Sequence, residues 1–305
     1  MSPFEPLGLL TRVVLFAAVL TIVGAAAFRF AVLPRWLTAA AAGDPLGAAA
    51  LRCAASVGLA AALLALLAVG ARLPLQLRDL ADPELPLGPQ ARNLILRSLW
   101  GRAWLAQVGA ALLAALALAA ARGGSRRGWM AAAIAALALA ITPAFAGHAI
   151  GSERYTTVAV AADAAHVLAA GAWIGGIVAL AGVLALPRAH GTPEAAGPLV
   201  SAFSRLALGM AAITAVTGLF GAWLHGPPLP QLPSHGYGRA LLVKLAAVGV
   251  VMWLGAFNWR RAGPRLLRDH DERPLARSIR AELAVAALVV LATAVLVVTP
   301  PFGEE

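Results

Sequence analysis

Apolar runs of about twenty residues recur along the 305-residue chain, and no other feature constrains its fold as strongly. A helix needs about 20 mainly apolar residues to cross the hydrocarbon core of a bilayer. Eight stretches reach that length, roughly 10–32, 47–70, 102–121, 128–147, 157–185, 204–224, 238–259 and 278–298. Backbone groups in lipid must be satisfied within the chain, and these runs are too long for barrel strands, which leaves the α-helix. Proline and glycine mark the joins, among them Pro45, Pro74, Gly123-Gly124, Pro187, Pro193, Pro227-Pro228 and Pro274. The expected fold is therefore all-α, a polytopic membrane helical bundle of about eight transmembrane helices. Residues 1–127 should carry three spans plus an interfacial amphipathic segment, LGPQARNLILRSLWGRAWL, which follows Asp79, Asp82 and Glu84. Residues 128–305 should carry five spans. The first span ends in small residues, Ala25-Ala26-Ala27, as a signal peptide does. Glu5 and the scarcity of basic residues ahead of it favour an uncleaved helix.

Charge and motif content exclude several functions. The chain is 61% hydrophobic and only 12% charged, against about 25% charged in a soluble domain. Its net charge of +10 comes almost wholly from arginine, Lys244 being the single lysine. The arginines cluster between apolar runs rather than along one helix face, which marks topogenic loop charge rather than nucleic-acid binding. With eight spans, fifteen of the 24 basic residues fall on one side and nine on the other, placing both termini outside. Cys53 is the only cysteine, so no intrachain disulfide or CxxC site can form. The chain has no GxxxxGK[ST], HExxH or GxSxG motif, so neither ATP use nor an enzymatic role is expected.

The polar exception is the stretch Gly147–Gly176, GHAIGSERYTTVAVAADAAHVLAAGAWIGG. Ionisable groups inside a membrane are costly and mark function by default. Asp163 and His166 stand three residues apart and share a helix face, and Trp173 continues that stripe seven residues on. A carboxylate one turn from an imidazole can bind a metal itself or orient the ring toward one. Such a pair suits Cu(II), Zn or Ni, whereas Cu(I) prefers sulfur ligands. His148 precedes the helix, and His225 and His235 fall on the same side of the membrane, so they join the candidate set. His190 and His270 fall in loops of the other side as solvated residues. Bland roles stand beside these. His166 can be an interhelical hydrogen-bond partner, and Asp163 can neutralise Lys244, which lies at a similar depth. Trp173 can be packing, Glu282 can pair with nearby arginines or Asn258, and Cys53 can be a core residue.

Taken in order, GHA, ADAAHVLAAGAWIGG, FSRLALGMAAITAVTGLFGAWL, YGRALLVKLAAVGVVMWLGAFNWRR and RSIRAELAVAALVVLATAVLVVTPP resemble the CopD family of bacterial copper-resistance membrane proteins. The likeness runs from about Ala144 to Pro301, and the amino-terminal half shares only the helical pattern. The resemblance implies an inner-membrane protein that handles copper, is fed by a periplasmic CopC-type copper-binding protein, and takes copper up. It carries over His148, Asp163, His166, Trp173, Tyr237, Lys244, Asn258 and Glu282 as signature positions. Copper contact falls first to His148 and His166, with Asp163 orienting or ligating. No His- or Met-rich outer loop accompanies them. Two further readings remain: a haem-binding electron-transfer protein using paired histidines, and a structural or assembly subunit whose polar residues only fix packing.

Overall fold

The computed structural model describes residues 6–37, 45–80, 82–145, 156–186, 193–226, 228–269 and 273–299, and they are almost entirely helical. In chain order the helices are α1 (Pro6–Ala27), α2 (Leu33–Leu37), α3 (Pro45–Leu80), α4 (Leu87–Arg97), α5 (Leu99–Arg122), α6 (Arg126–Ile141), α7 (Thr156–Ala170), α8 (Gly176–Leu184), α9 (Pro193–His225), α10 (Gly236–Phe257), α11 (Gly263–Asp269) and α12 (Arg273–Val298). Three of the joins are single π-helical turns, Phe28–Val32, Gly171–Gly175 and Asn258–Ala262, so α1–α2, α7–α8 and α10–α11 each run as one continuous rod.

Among the described residues seven rods are long and apolar enough to cross a membrane. The expected eighth span, 128–147, corresponds to α6, which has 16 residues and passes at Thr142 into a 3-10 turn ending at Phe145. Pro143 explains the change, since it has no N–H to continue the α-helical ladder. The expected amphipathic segment is α4 followed by the start of α5. No residue of α4 is buried. Ser98, in extended conformation, breaks the chain between them, and its hydroxyl accepts the Gly101 N–H at 2.9 Å to cap α5. A second tight corner joins α5 to α6. There Gly124 takes φ +94°, a left-handed value, and Ser125 caps α6 through the Gly128 N–H at 3.0 Å.

The core is built on α1, which packs against α3, α6, α7, the Gly171–Gly175 turn, α8 and α12. Much of the interface is alanine: Ala54, Ala62, Ala65, Ala111, Ala114 and Ala135 are fully or almost fully buried. Small side chains let helix backbones approach closely, and that is how packing energy is gained where lipid removes the hydrophobic drive between helices. The closest approach is at Gly24, where an added Cβ would overlap the backbone of Gly175 and Gly176. A Cβ on Gly175 would in turn overlap the Leu20 carbonyl. Two rods thus cross with no side chain between them. At the other extreme, α10 packs against α12 and the turn that follows it, and only 11% of its apolar window is buried, against 67% for α7–α8.

Candidate functional site

Three helices bring polar groups to one layer. At 1.5 Å per residue, His166 stands about 15 Å into α7, Thr217 about 12 Å before the end of α9, and Lys244 about 12 Å into α10. The ends in question meet: Ala222 of α9 packs on the small cluster of Tyr237, Leu241 and Leu296 at the start of α10 and the end of α12. Asp163, His166 and Lys244 are each half-buried.

His166 reaches across to α9. Its Nδ1 lies 3.1 Å from Thr217 Oγ1, and a Cβ on the neighbouring Gly218 would lie only 3.1 Å from the ring's Cε1. The imidazole therefore sits over bare backbone, beside the one hydroxyl that meets it. Asp163, one turn earlier on α7, faces Lys244 electrostatically, and the Lys244 charge also acts on His166. Among the described residues Asp163 forms no hydrogen bond with the ring and closes no ion pair with Lys244 within 4 Å, so the charges act through space. One carboxylate, one imidazole and one ammonium therefore share a half-buried layer.

The remaining sequence candidates are dispersed. Trp173 lies in the Gly171–Gly175 turn, 5% exposed and part of the main core. Tyr237 belongs to the small cluster already described. Glu282 and Asn258 form a second polar feature, toward the start of α12 and the end of α10. The Asn258 side chain lies beside the Glu282 carboxyl. Glu282, 4% exposed, lies over Gly255, where a Cβ would stand 3.4 Å from its Oε1. Asn258 Oδ1 and Ser278 Oγ are buried without a partner. His235 is the half-buried residue preceding α10, in extended conformation, and its carbonyl accepts the Arg239 N–H at 3.0 Å. His225 ends α9, and its side chain lies outside the described residues, as do His148, His190 and His270 altogether. Cys53 packs under α8, where a Cβ on Gly182 would stand 3.2 Å from its Sγ. Among the described residues no three of His, Cys, Asp and Glu converge on one metal-sized position.

Two contacts escaped sequence reasoning. One is Thr217. The other is Gln107, 4% exposed, whose Oε1 accepts from Arg72 Nη1 at 3.1 Å between α5 and α3. An Arg and a Gln in separate apolar runs are 35 residues apart in sequence, so only the packing of α3 on α5 reveals the pair.

Comparison with known protein families finds two matching stretches of the chain. Residues 4–154 match the family model described as "Copper resistance protein D-like, N-terminal domain", and residues 197–296 match the one described as "Copper resistance protein D". The first match extends the likeness to the half in which the sequence alone shows only helices. Asp163 and His166 lie between the two matched ranges. The copper transport protein CutJ of Bacillus subtilis (strain 168) is 30% identical over 215 residues, which is 68% of this chain and 38% of that relative. The chain thus aligns with well under half of the relative's length. No solved structure matches the chain.

Proposed function

The chain belongs to the copper resistance protein D family, and from that premise we propose that this multi-pass membrane protein moves copper through the layer formed by Asp163, His166 and Lys244. The observation that carries the proposal is the pairing of an imidazole and a carboxylate one turn apart, half-buried in a rod apolar enough to span a bilayer. Such groups are costly in lipid unless they are used, and together they form a donor pair suited to a borderline transition-metal ion.

In this mechanism Lys244 holds the place of the cargo. With no copper present, its ammonium supplies the counter-charge for Asp163. An arriving copper ion competes for that carboxylate and takes the imidazole of His166 as a second donor. His148 and His225, which the sequence assigns to the same side of the membrane, complete the coordination or receive the ion first. That side faces the periplasm of a bacterial inner membrane, with both termini on it. This counts α6 as a crossing beside the seven longer rods, the arrangement in which the basic residues divide fifteen to nine. A separate CopC-type carrier delivers the copper, and net movement is inward.

Purified full-length protein should bind about one copper per chain by metal analysis. His166→Ala and His148→Ala should each weaken or abolish binding, and Asp163→Asn should weaken it. Cells producing the protein should accumulate more copper than cells producing His166→Ala at equal membrane levels. Full binding stoichiometry and affinity in both histidine variants would overturn the site. An absorption spectrum of the same sample tests the haem alternative, which requires a Soret band.

A further inference from the structure

Thr217 has only one proton to give. Its Oγ1 lies 2.7 Å from the Ile213 carbonyl and 3.3 Å from that of Thr214, and a carbonyl can only accept. The hydroxyl proton is thus spent inside α9, along the back-bond to residue i−4 that threonines in helices habitually make. What Oγ1 turns toward His166, at 3.1 Å, is a lone pair. The ring nitrogen facing it, Nδ1, must then be the donor and carry the hydrogen. A neutral imidazole with its hydrogen on Nδ1 has its lone pair on Nε2.

We propose that Thr217 is a positioning residue that fixes His166 in the Nδ1–H tautomer and so presents Nε2 to the cargo ion. Gly218 keeps the ring in that seat, since any Cβ there would press on Cε1 at 3.1 Å. This assigns the orienting task to a hydroxyl on α9 rather than to Asp163 on the ring's own helix. Asp163 makes no hydrogen bond to the ring among the described residues, and its carboxylate stays available for Lys244 or for copper. The proposal rests on His166 being a copper contact, but the tautomer itself does not depend on copper.

The test therefore has two arms on the full chain. In the first, metal-free protein labelled with 15N-histidine is examined by side-chain NMR at neutral pH, with His166 assigned by comparison with His166→Ala. Wild type and Thr217→Ser should show the Nδ1–H form, and Thr217→Val should lose that preference. In the second, copper affinity is measured by titration. Thr217→Val should bind ~10–100-fold more weakly, the usual cost of losing a partner that orients a ligand, and Thr217→Ser should stay within a few-fold of wild type. An Nε2–H tautomer in wild type overturns the proposal, as does a Thr217→Val protein indistinguishable from wild type in both arms. If wild type binds no copper while the tautomer still follows residue 217, the copper reading fails and the positioning role stands. Thr217→Ser and the wild-type spectrum remain readable if Thr217→Val does not fold.

Discussion

A half-buried lysine at the depth of Lys244 needs a reason to be there, because an ammonium inside an apolar helix is costly unless it is neutralised or used. The structure gives it Asp163 and His166 as electrostatic neighbours with no contact ion pair among the described residues. If Lys244 is the cargo's placeholder, Lys244→Met should raise copper affinity by removing a competing cation, by about tenfold or 1.4 kcal/mol. Titration of the purified variant checks this, and weaker binding would show that Lys244 helps to hold the site. Glu282 carries a different expectation. Asn258 is the polar group beside it, so Asn258→Leu sets an apolar side chain against a buried carboxyl and should cost about 1–3 kcal/mol. Glu282→Gln keeps a polar partner and should cost less, as read from thermal unfolding in one detergent. Asp163 and His166 are legible in the sequence because they are charged or titratable inside an apolar run. Thr217 is not. Thr21, Thr214 and Thr293 all bond back to the carbonyl four residues earlier, just as Thr217 does, and only the ring of another helix distinguishes it from them.

At the scale of elements, the crossing of α1 with the Gly171–Gly175 turn is the tightest joint in the fold. No Cβ fits at Gly24 or Gly175 without displacing backbone, and one at Gly171 would meet the Val23 side chain. Overpacking of this kind costs about 1–3 kcal/mol even where side chains can yield, and backbone yields less. Gly24→Ala and Gly175→Ala should therefore lower the unfolding midpoint clearly. Gly249→Ala, on α10 with nothing within 4 Å, should be neutral or slightly stabilising, since alanine gains about 1 kcal/mol over glycine in a helix. The rods themselves are readable from hydropathy, because length and apolar content are what a span requires. Their internal joints are not. A π turn leaves no mark of its own in a hydropathy pattern: GAWIG reads as part of an apolar run, and NWRRA as an ordinary basic end of a span. Pro143 was visible, but that it would shorten α6 to 16 residues depended on the turn formed beyond it.

Across the whole molecule, the two halves share one core because α1 packs on α7, α8 and α12 as well as on α3 and α6. The periphery is just as definite. Trp253 on α10 and Trp223 on α9 are 66% and 68% exposed, whereas Trp36 is fully buried. In bilayers containing brominated lipid, a variant retaining only Trp253 should be strongly quenched, and one retaining only Trp36 should not. Equal quenching would mean that another chain covers α10 or that lipid enters the core. That α10 would be the outlying rod was hidden in the sequence. Its composition matches the other spans, with a mean hydropathy of 2.1 over its window against 2.2 for α7–α8. Composition reports compatibility with lipid, and says little about which helix touches it.

The Gly171–Gly175 turn has a consequence for how such a chain can change over generations. A π turn holds one residue more than the α-helical turn it replaces. Losing the codon for Ala172 would restore regular helix instead of breaking one, and the rod would still reach across the bilayer. The two halves would keep their facing, because the extra residue is absorbed within that one turn. Losing a codon from the regular helix between His166 and Gly171 would instead swing the polar half by about 100°. Asp163 and His166 would turn away from α9 while Ile177, Leu180 and Val183 stayed seated in the core. The turn is thus a place where the rod can lose a residue without turning its polar half, whose facing depends on the regular helix between His166 and the anchor.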